Sequence, residues 1–187
     1  MAEFAKQLMA GGATIIQYRH KEAGARKALS TLRELRRISL GRASLIVNDR
    51  ADLCLSAAAD GVHLGQDDLS PEAARRIFEP AAAQHLLIGF STHNIEQFQQ
   101  AQELPADYIA VGPVFATGTK KNPDPVIGLE GVRQARAVAR KPLVAIGGIT
   151  RQNCRQVREA GADSVAVIAD LLESPRKAVE DFLRILG

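Results

Sequence analysis

The stretch LIVNDRADLCLSAAADGVHLGQDD, residues 45 to 68, contains two short apolar runs that each end in acidic residues. A short helical segment, residues 51–57, lies between the two runs. A strand, a helix and a second strand in this order predict two parallel strands, because parallel strands need a crossover connection. The carboxyl ends of parallel strands meet at one edge of a sheet. Asp49 and the pair Asp67 and Asp68 are therefore expected to lie near each other.

The same alternation of apolar runs and amphipathic segments continues through the whole chain. Seven short, β-branched runs predict strands at 14–19, 44–49, 61–65, 86–91, 108–113, 142–148 and 164–169. Eight segments predict helices at 2–9, 24–39, 51–57, from 70 onwards, and at 94–103, 129–140, 151–160 and 174–186. Repeated units of this kind predict an α/β protein with a parallel sheet, either doubly wound or a barrel. We favour a (β/α)8 TIM barrel in a single domain, residues 1–187, that lacks the first strand, because the chain opens on a helix.

The composition limits the classes of protein to which the chain can belong. The 187 residues are 46% hydrophobic and 24% charged, which suits one globular domain rather than a disordered chain. No apolar run approaches about 18 residues and no secretory signal is visible, so we expect no membrane partner. The net charge of +3 and the absence of Trp argue against a nucleic-acid partner but suit an anionic small molecule. Only Cys54 and Cys154 are present, which favours a reducing, cytoplasmic location.

The residues that follow the predicted strands are the first candidates for a site, because in a barrel they line one mouth. At the end of the first strand, Gln17, Arg19 and Lys21 occupy alternate positions. If the strand persists, the three side chains point to one side, where an amide, a guanidinium and an ammonium suit a polyanion. A solvated basic strand end explains the same triplet equally well.

Acidic residues follow the next two strands. Asp49 and one of Asp67 and Asp68 could bind Mg²⁺, because this ion often takes only one or two carboxylates and completes its shell with phosphate oxygens. Taken alone, these carboxylates are more typical of turns, which favour Asn and Asp. His63, inside GVHLG, is in the same way more typical of a hydrogen-bonded structural residue than of a catalyst.

Three later segments carry groups suited to phosphate. Ser91 ends the fourth strand, and the loop GPVFATGTKKNPDP, residues 112–125, places threonines beside lysines. Long ordered loops at a barrel mouth are often functional. Gly148 lies in AIGGI, where a glycine lets the backbone approach a ligand closely. The loops after the last two strands of a barrel often bind phosphate through backbone N–H groups.

Six segments, taken in order, resemble those of the thiamine phosphate synthase (thiamine-phosphate pyrophosphorylase) family. They are QYRHK (17–21), IVNDRADL (46–53), GVHLGQDD (61–68), GFSTHN (89–94), DYIAVGPVFATGTK (107–120) and VAIGGI (144–149). The resemblance implies a TIM barrel and a transferase that requires Mg²⁺. The implied substrates are 4-amino-5-hydroxymethyl-2-methylpyrimidine diphosphate and a thiazole phosphate, and the products are thiamine phosphate and pyrophosphate. The resemblance also suggests a homodimer.

The resemblance further implies roles for individual residues. Asp49 and Asp68 match the family's Mg²⁺ ligands, and Gln17 would face the pyrimidine. Arg19 and Lys21 would face the diphosphate and, with Lys120, stabilise the leaving group. The remaining implied contacts to pyrimidine or diphosphate are Asn48, Ser91, Thr117, Thr119 and Lys120. The implied contacts to the thiazole phosphate are Gly148 and the backbone of Ile168 and Ala169, where many relatives have Ser at the position of Ala169.

The chain departs from the family pattern in two places. Relatives begin with a strand that usually ends in an Asp near the mouth, and this chain begins at the helix that follows it. We therefore expect two unpaired sheet edges, and either an upstream start, a partner that fills the gap, or a degenerate copy of the enzyme. The insertion KKNPDPVI, residues 120–127, also lengthens the phosphate loop.

Three other functions remain open at this stage. A thiazole tautomerase-like homologue would not need the full metal and diphosphate set, although His93 suits it. Another phosphate-binding barrel enzyme would explain AIGGI but not Asn48, Asp49 and the TGTK segment. A non-catalytic copy that binds thiamine phosphate would result if the absent strand abolished activity.

Overall fold

Strands and helices alternate along the described part of the chain, which comprises residues 1–79, 85–118 and 124–187 of this computed structural model. The strands are β1 (Ile15–Tyr18), β2 (Ser44–Asn48), β3 (Gly61–Leu64), β4 (Leu87–Thr92), β5 (Tyr108–Val111), β6 (Leu143–Ile146) and β7 (Ser164–Ala166). The helices are α1 (Ala2–Ala10), α2 (Ala25–Ser39), α3 (Ala51–Ser56), α4 (Pro71–Phe78), α5 (Ile95–Ala101), α6 (Gly128–Val138), α7 (Cys154–Glu159) and α8 (Pro175–Leu186). A short 3-10 helix, Ala169–Leu171, follows β7. Within these ranges no helix is long and apolar enough to cross a membrane.

All seven strands are parallel and lie in the order in which they occur in the sequence, from β1 to β7. A doubly wound sheet reverses its strand order at a switch point, so this topology excludes the doubly wound alternative. Sequential parallel strands joined by helices form a curled, TIM-barrel-like sheet. The predicted fold class is therefore confirmed.

The two faces of the sheet differ in chemistry. Residues that pair in register on neighbouring parallel strands point to the same face of the sheet, and side chains alternate between the two faces along each strand. One face packs its aliphatic side chains against the helices and includes Leu45, Val62, Ile88, Ile109 and Leu143. The opposite face, inside the curl, carries polar groups and glycines, and includes Gln17, Asn48, His63, Gly89, Ser91 and Tyr108.

The sheet is open between its first and last strands. Among the described strands, β1 pairs only with β2 and β7 pairs only with β6. Side chains next to this opening are uncovered: Ile15 is 56% exposed. Ser164 and Ala166, at the other side of the opening, are also exposed. The expectation of seven strands with two unpaired edges is confirmed.

The predicted strands extend beyond the observed ones where the backbone becomes left-handed. The run 44–49 ends as a strand at Asn48, because Asp49 has a φ of 65°. The run 142–148 ends at Ile146, because Gly147 and Gly148 have φ angles of 89° and 65°. A positive φ ends strand geometry and places the following side chains in a turn.

Three aspartates hold the end of the sheet opposite the mouth. Each directly precedes a strand, and its carboxylate accepts one bond from the first part of the neighbouring strand and one from an arginine of a helix. The three sets are Asp60 with Leu45 N and Arg36, Asp107 with Ile88 N and Arg75, and Asp163 with Leu143 N and Arg136. Each aspartate follows an alanine, so the sequence repeats Ala-Asp before β3, β5 and β7. This repeat joins strand to strand and strand to helix at alternate positions around the sheet.

Candidate active site

Three charged side chains from the loops after β1, β2 and β3 meet at the carboxyl edge of the sheet. Lys21 Nζ lies 3.3 Å from Asp49 Oδ2. The Asp68 carboxylate lies close enough to Asp49 to raise the pKa of the Asp49 carboxylate, and it accepts a bond of 2.7 Å from Gly65 N. The Asp49 amide donates to His63 O over 2.8 Å, which fixes the turn that follows β2. Asp67 is exposed, so Asp68 is the member of the acidic pair that the fold brings to Asp49.

The two carboxylates share one partly buried position. Burial and the neighbouring Asp68 raise the pKa of Asp49, while the Lys21 ammonium opposes that rise. Two neighbouring carboxylates repel each other when both are ionised, and a divalent cation between them would remove that repulsion. Oxygen-only ligands of this kind fit Mg²⁺. Within the described residues no larger cluster of His, Cys, Asp or Glu could hold a metal ion.

Arg19 and Lys21 lie beyond the end of β1, which stops at Tyr18. The strand therefore does not continue far enough to align Gln17, Arg19 and Lys21 by alternation, and Lys21 instead reaches the site from a turn. Gln17 lies on the inner face of the sheet and is exposed, as is Arg19. The three residues stay at one corner of the mouth, next to the open side of the sheet.

A line of polar side chains crosses the inner face below the mouth. Asn48 pairs in register with His63, His63 with Gly89, and Gly89 with Tyr108. His63 Nδ1 lies 3.0 Å from the Tyr108 hydroxyl, and His63 Nε2 lies 2.7 Å from Ser91 Oγ. The rings of His63 and Tyr108 are stacked, with centroids 5.5 Å apart. The prediction that His63 is hydrogen-bonded is confirmed.

Sequence reasoning missed Tyr108, although a signal for it was present. A Cβ on Gly89 would lie 2.1 Å from Tyr108 Cζ and 2.5 Å from His63 Nδ1, so a side chain at this position would displace the pair. A glycine inside a strand often marks a close approach of other groups. Gly89 lies in the predicted strand 86–91, and its two neighbouring strands carry His63 and Tyr108 in register with it. This glycine could have indicated the contact between the two rings.

Burial of His63 should make the protein sensitive to acid. Burial lowers the pKa of His63 from about 6.5 to about 4. Between these values the unfolded chain binds a proton that the folded chain does not, so stability falls as the pH is lowered. We expect His63 to lower the free energy of unfolding by about 2 kcal/mol between pH 7 and pH 5. Urea unfolding at both pH values would measure it, and His63→Gln should reduce the pH dependence by that amount; an equal pH dependence in both proteins would contradict the assignment.

The loops after β5 and β6 pack directly on each other. Gly148, with its φ of 65°, is so close to the preceding loop that a Cβ would lie 2.5 Å from Ala116 O and 2.8 Å from Phe115 Cβ. Phe115 N donates to Gly147 O over 3.1 Å. Asn153 Nδ2 donates to Gly148 O over 3.1 Å. The Gly148 backbone is thus held in place from two sides.

The loop after β7 is tied to the loop after β6. Arg151 donates to the Asp170 carboxylate from its backbone N over 2.8 Å and from its guanidinium over 3.0 and 3.1 Å. This pairing brings Ile168 and Ala169, just before Asp170, towards the segment that carries Gly148. Ile168 is 51% exposed, which leaves this segment accessible to a ligand.

The long loop after β5 is described only in part. Thr117 is partly buried and directly follows Ala116, whose carbonyl oxygen lies close to Gly148. Thr119 and Lys120 lie outside the described residues. His93 Nδ1 donates to Gly112 O over 2.9 Å and lies 3.3 Å from Asp124 Oδ2. His93 therefore contacts both ends of the loop.

Comparisons with known proteins show the family to which the chain belongs. The family model for thiamine monophosphate synthase matches residues 1–171. The chain belongs to the thiamine monophosphate synthase family. Membership confirms the family predicted from the six segments and, with it, the transferase class.

Individual members of the thiamine monophosphate synthase family agree with the family model. A thiamine-phosphate synthase of Koribacter versatilis is 55% identical over 186 residues, which cover 100% of this chain and 86% of the relative. A thiamine-phosphate synthase of Methanoregula boonei is 45% identical over 93% of this chain and 79% of its own length. The solved thiamine phosphate pyrophosphorylase of Pyrococcus furiosus is 37% identical, with a TM-score of 0.89 over 99% of this chain and 88% of that one.

Proposed function

We propose that this chain forms thiamine phosphate and pyrophosphate from 4-amino-5-hydroxymethyl-2-methylpyrimidine diphosphate and a thiazole phosphate. The observation that carries the proposal is the meeting of Lys21, Asp49 and Asp68 at the mouth, directly above a polar inner face. A cation site with an ammonium beside it suits a diphosphate. The polar groups below it suit a heteroaromatic ring with hydrogen-bonding nitrogens.

Asp49 and Asp68 would hold the Mg²⁺, since the two carboxylates are close enough for Asp68 to raise the pKa of Asp49. Bound there, the ion would supply charge neutralisation for the diphosphate leaving group. Arg19, Lys21 and, from the loop after β5, Lys120 would add positive charge around the same oxygens. Preorganised positive charge of this kind stabilises the negative charge that grows as the C–O bond breaks.

The inner face would bind the pyrimidine. Gln17, Asn48 and Ser91 offer amide and hydroxyl groups that can pair with the ring nitrogens and the amino group. Thr117 and Thr119 would add hydroxyl contacts from the loop after β5. The amino group donates electrons to the ring and so supports the cation left at the methylene carbon when pyrophosphate departs.

The Gly148 segment and the backbone of Ile168 and Ala169 would bind the thiazole phosphate. Held by its phosphate at this subsite, the thiazole would attack the methylene carbon through its nitrogen, so that one C–N bond forms and one C–O bond breaks. No protein nucleophile is needed, because the nitrogen supplies the electron pair and pyrophosphate carries its pair away. We further propose a cytoplasmic location and a homodimer; two free, buried cysteines suit a reducing compartment.

Gly148→Ala should weaken binding of the thiazole phosphate. The added Cβ would meet Ala116 O at 2.5 Å, in a left-handed backbone that alanine disfavours. We expect the KM for the thiazole phosphate to rise about 10-fold, while the KM for the pyrimidine diphosphate changes little. Gly41→Ala is the matched control, because Gly41 has a φ of 70° and, among the described residues, nothing lies within 4 Å of a Cβ there. Equal KM values in the two variants would show that Gly148 does not shape this subsite.

Omission of single substrates tests the proposed reaction against its rivals. The purified chain would be given the thiazole phosphate alone, the pyrimidine diphosphate alone, or both, with Mg²⁺ present. Formation of thiamine phosphate only from both substrates would support the synthase. Isomerisation of a thiazole phosphate alone would instead support a tautomerase, and a thermal shift by thiamine phosphate without any turnover would support a non-catalytic copy.

A further inference from the structure

The contact of His63 with Tyr108 and Ser91 forms a continuous hydrogen-bonded chain on the inner face. Tyr108 lies at one end, His63 in the middle, and Ser91 at the other end, nearest the mouth. His63 is 9% exposed, and within the described residues no carboxylate hydrogen-bonds to its ring. A buried imidazole without such a partner is neutral and carries one N–H. One ring nitrogen therefore donates and the other accepts.

The chemistry of the two end groups fixes the direction of the chain. The Tyr108 phenol is a stronger donor than the Ser91 hydroxyl, and an imidazole nitrogen is a stronger acceptor than a phenol oxygen. In the described part of the chain, His63 is the hydrogen-bonding partner of the Tyr108 hydroxyl. The favoured arrangement has Tyr108 donating to Nδ1 and the Nε2 hydrogen donating to Ser91 Oγ. The proton of Ser91 then points away from His63.

Ser91 lies beside the loop that carries Asp68. The Ser91 carbonyl accepts a bond of 2.6 Å from Gln66 Nε2, two residues before Asp68. The hydroxyl is thus between the polar inner face and the charged mouth. If the Ser91 O–H is directed away from His63, it would donate to a ligand that occupies both the inner face and the mouth.

We propose that His63, oriented by Tyr108, is a positioning residue that sets Ser91 as a hydrogen-bond donor to an acceptor atom of the pyrimidine diphosphate. The identity of that substrate rests on the proposed function, whereas the direction of the hydrogen-bonded chain rests on the three side chains alone. Gly89 is needed for this arrangement, because the absence of a Cβ leaves the space in which the His63 and Tyr108 rings meet. Residues of three strands, β3, β4 and β5, therefore orient the Ser91 hydroxyl.

The tautomer of His63 tests the proposal without any turnover. Nitrogen NMR of the chain labelled with ¹⁵N-histidine, assigned with His63→Gln, reports which ring nitrogen carries the hydrogen at pH 7. We expect Nε2–H with an unprotonated Nδ1 that accepts from Tyr108. Nδ1–H or a doubly protonated ring would overturn the proposal, whatever reaction the enzyme performs.

A double-mutant cycle tests the effect on catalysis. Tyr108→Phe removes the phenol hydroxyl but keeps the ring, and we expect kcat to fall about 3- to 10-fold with little change in the KM for the thiazole phosphate. In a Ser91→Ala background the same substitution should have no further effect, since the chain would have lost its end point. Tyr18→Phe is the matched control, because Tyr18 is buried on the opposite, helix-facing side of the sheet. Equal losses from Tyr108→Phe with and without Ser91 would overturn the proposal, by showing that Tyr108 acts through general stability.

The two experiments separate this proposal from the proposed function. If the unsubstituted chain forms no thiamine phosphate, the proposed function fails, and the tautomer still decides the direction of the hydrogen-bonded chain. If the unsubstituted chain is active but His63 carries Nδ1–H, the positioning role alone fails.

Discussion

Asp49→Asn is expected to reduce turnover about 100-fold or more at a Mg²⁺ concentration that saturates the unsubstituted chain. The substitution removes one of the two carboxylates that would hold the ion, and metal-assisted charge stabilisation contributes several kcal/mol to reactions of this type. The fold should persist, because asparagine adopts the left-handed backbone, here a φ of 65°, more readily than most residues. Raising the Mg²⁺ concentration should restore part of the lost rate.

The measurement is the dependence of the initial rate on Mg²⁺ concentration for the two proteins. Asp67→Asn is the matched control, since it removes the same charge from an exposed neighbour in the same loop region as Asp68. Asp68→Asn should behave like Asp49→Asn. If Asp49→Asn and the unsubstituted chain show the same Mg²⁺ dependence, Asp49 is a turn residue and does not hold the metal.

Asp107→Ala is expected to lower the free energy of unfolding by about 3 kcal/mol. The Asp107 carboxylate accepts bonds of 2.7 Å from Ile88 N, 2.8 Å from Arg75 and 2.7 Å from His85. Its side chain is 23% exposed and that of Arg75 is 27% exposed, so alanine would leave a partly buried amide and guanidinium without this acceptor. The free energy of unfolding can be measured by urea titration.

An exposed ion pair provides the comparison for Asp107. The side chains of Arg50 and Asp52 are 48% and 61% exposed, and Asp52→Ala should cost no more than about 1 kcal/mol. A loss of similar size in both variants would show that the aspartates before alternate strands contribute no more than surface charges do. A large loss for Asp107→Ala with unchanged KM values would assign the Ala-Asp repeat to stability rather than to catalysis.

Most of the fold could be predicted from local pattern. Runs such as SLIV and LLIGF alternate with amphipathic segments, and each buried strand needs a helix before the next parallel strand. The ends of the strands could not be predicted in this way, because Asp49 and Gly148 end them through backbone dihedral angles rather than through composition. The pairing of Asp60 with Arg36 also lay beyond local pattern, since it joins residues 24 positions apart.

The candidate site could be predicted where it depends on strand ends. Asp49 and Lys21 were predicted at one mouth because parallel strands end at the same edge, and they lie in contact. The choice between Asp67 and Asp68 could not be made from the residues alone, since it depends on the turn that bonds Gly65 N to Asp68. Tyr108 was missed because its contact with His63 runs across β4, over 45 residues of sequence.

The most direct test of the proposed function is the ratio of pyrophosphate released to thiamine phosphate formed by the purified chain, given both substrates with and without Mg²⁺. We predict equal amounts of the two products, formed only when Mg²⁺ is present. Pyrophosphate without thiamine phosphate would contradict the proposed reaction. Formation of thiamine phosphate at the same rate after removal of Mg²⁺ would contradict the role assigned to Asp49 and Asp68.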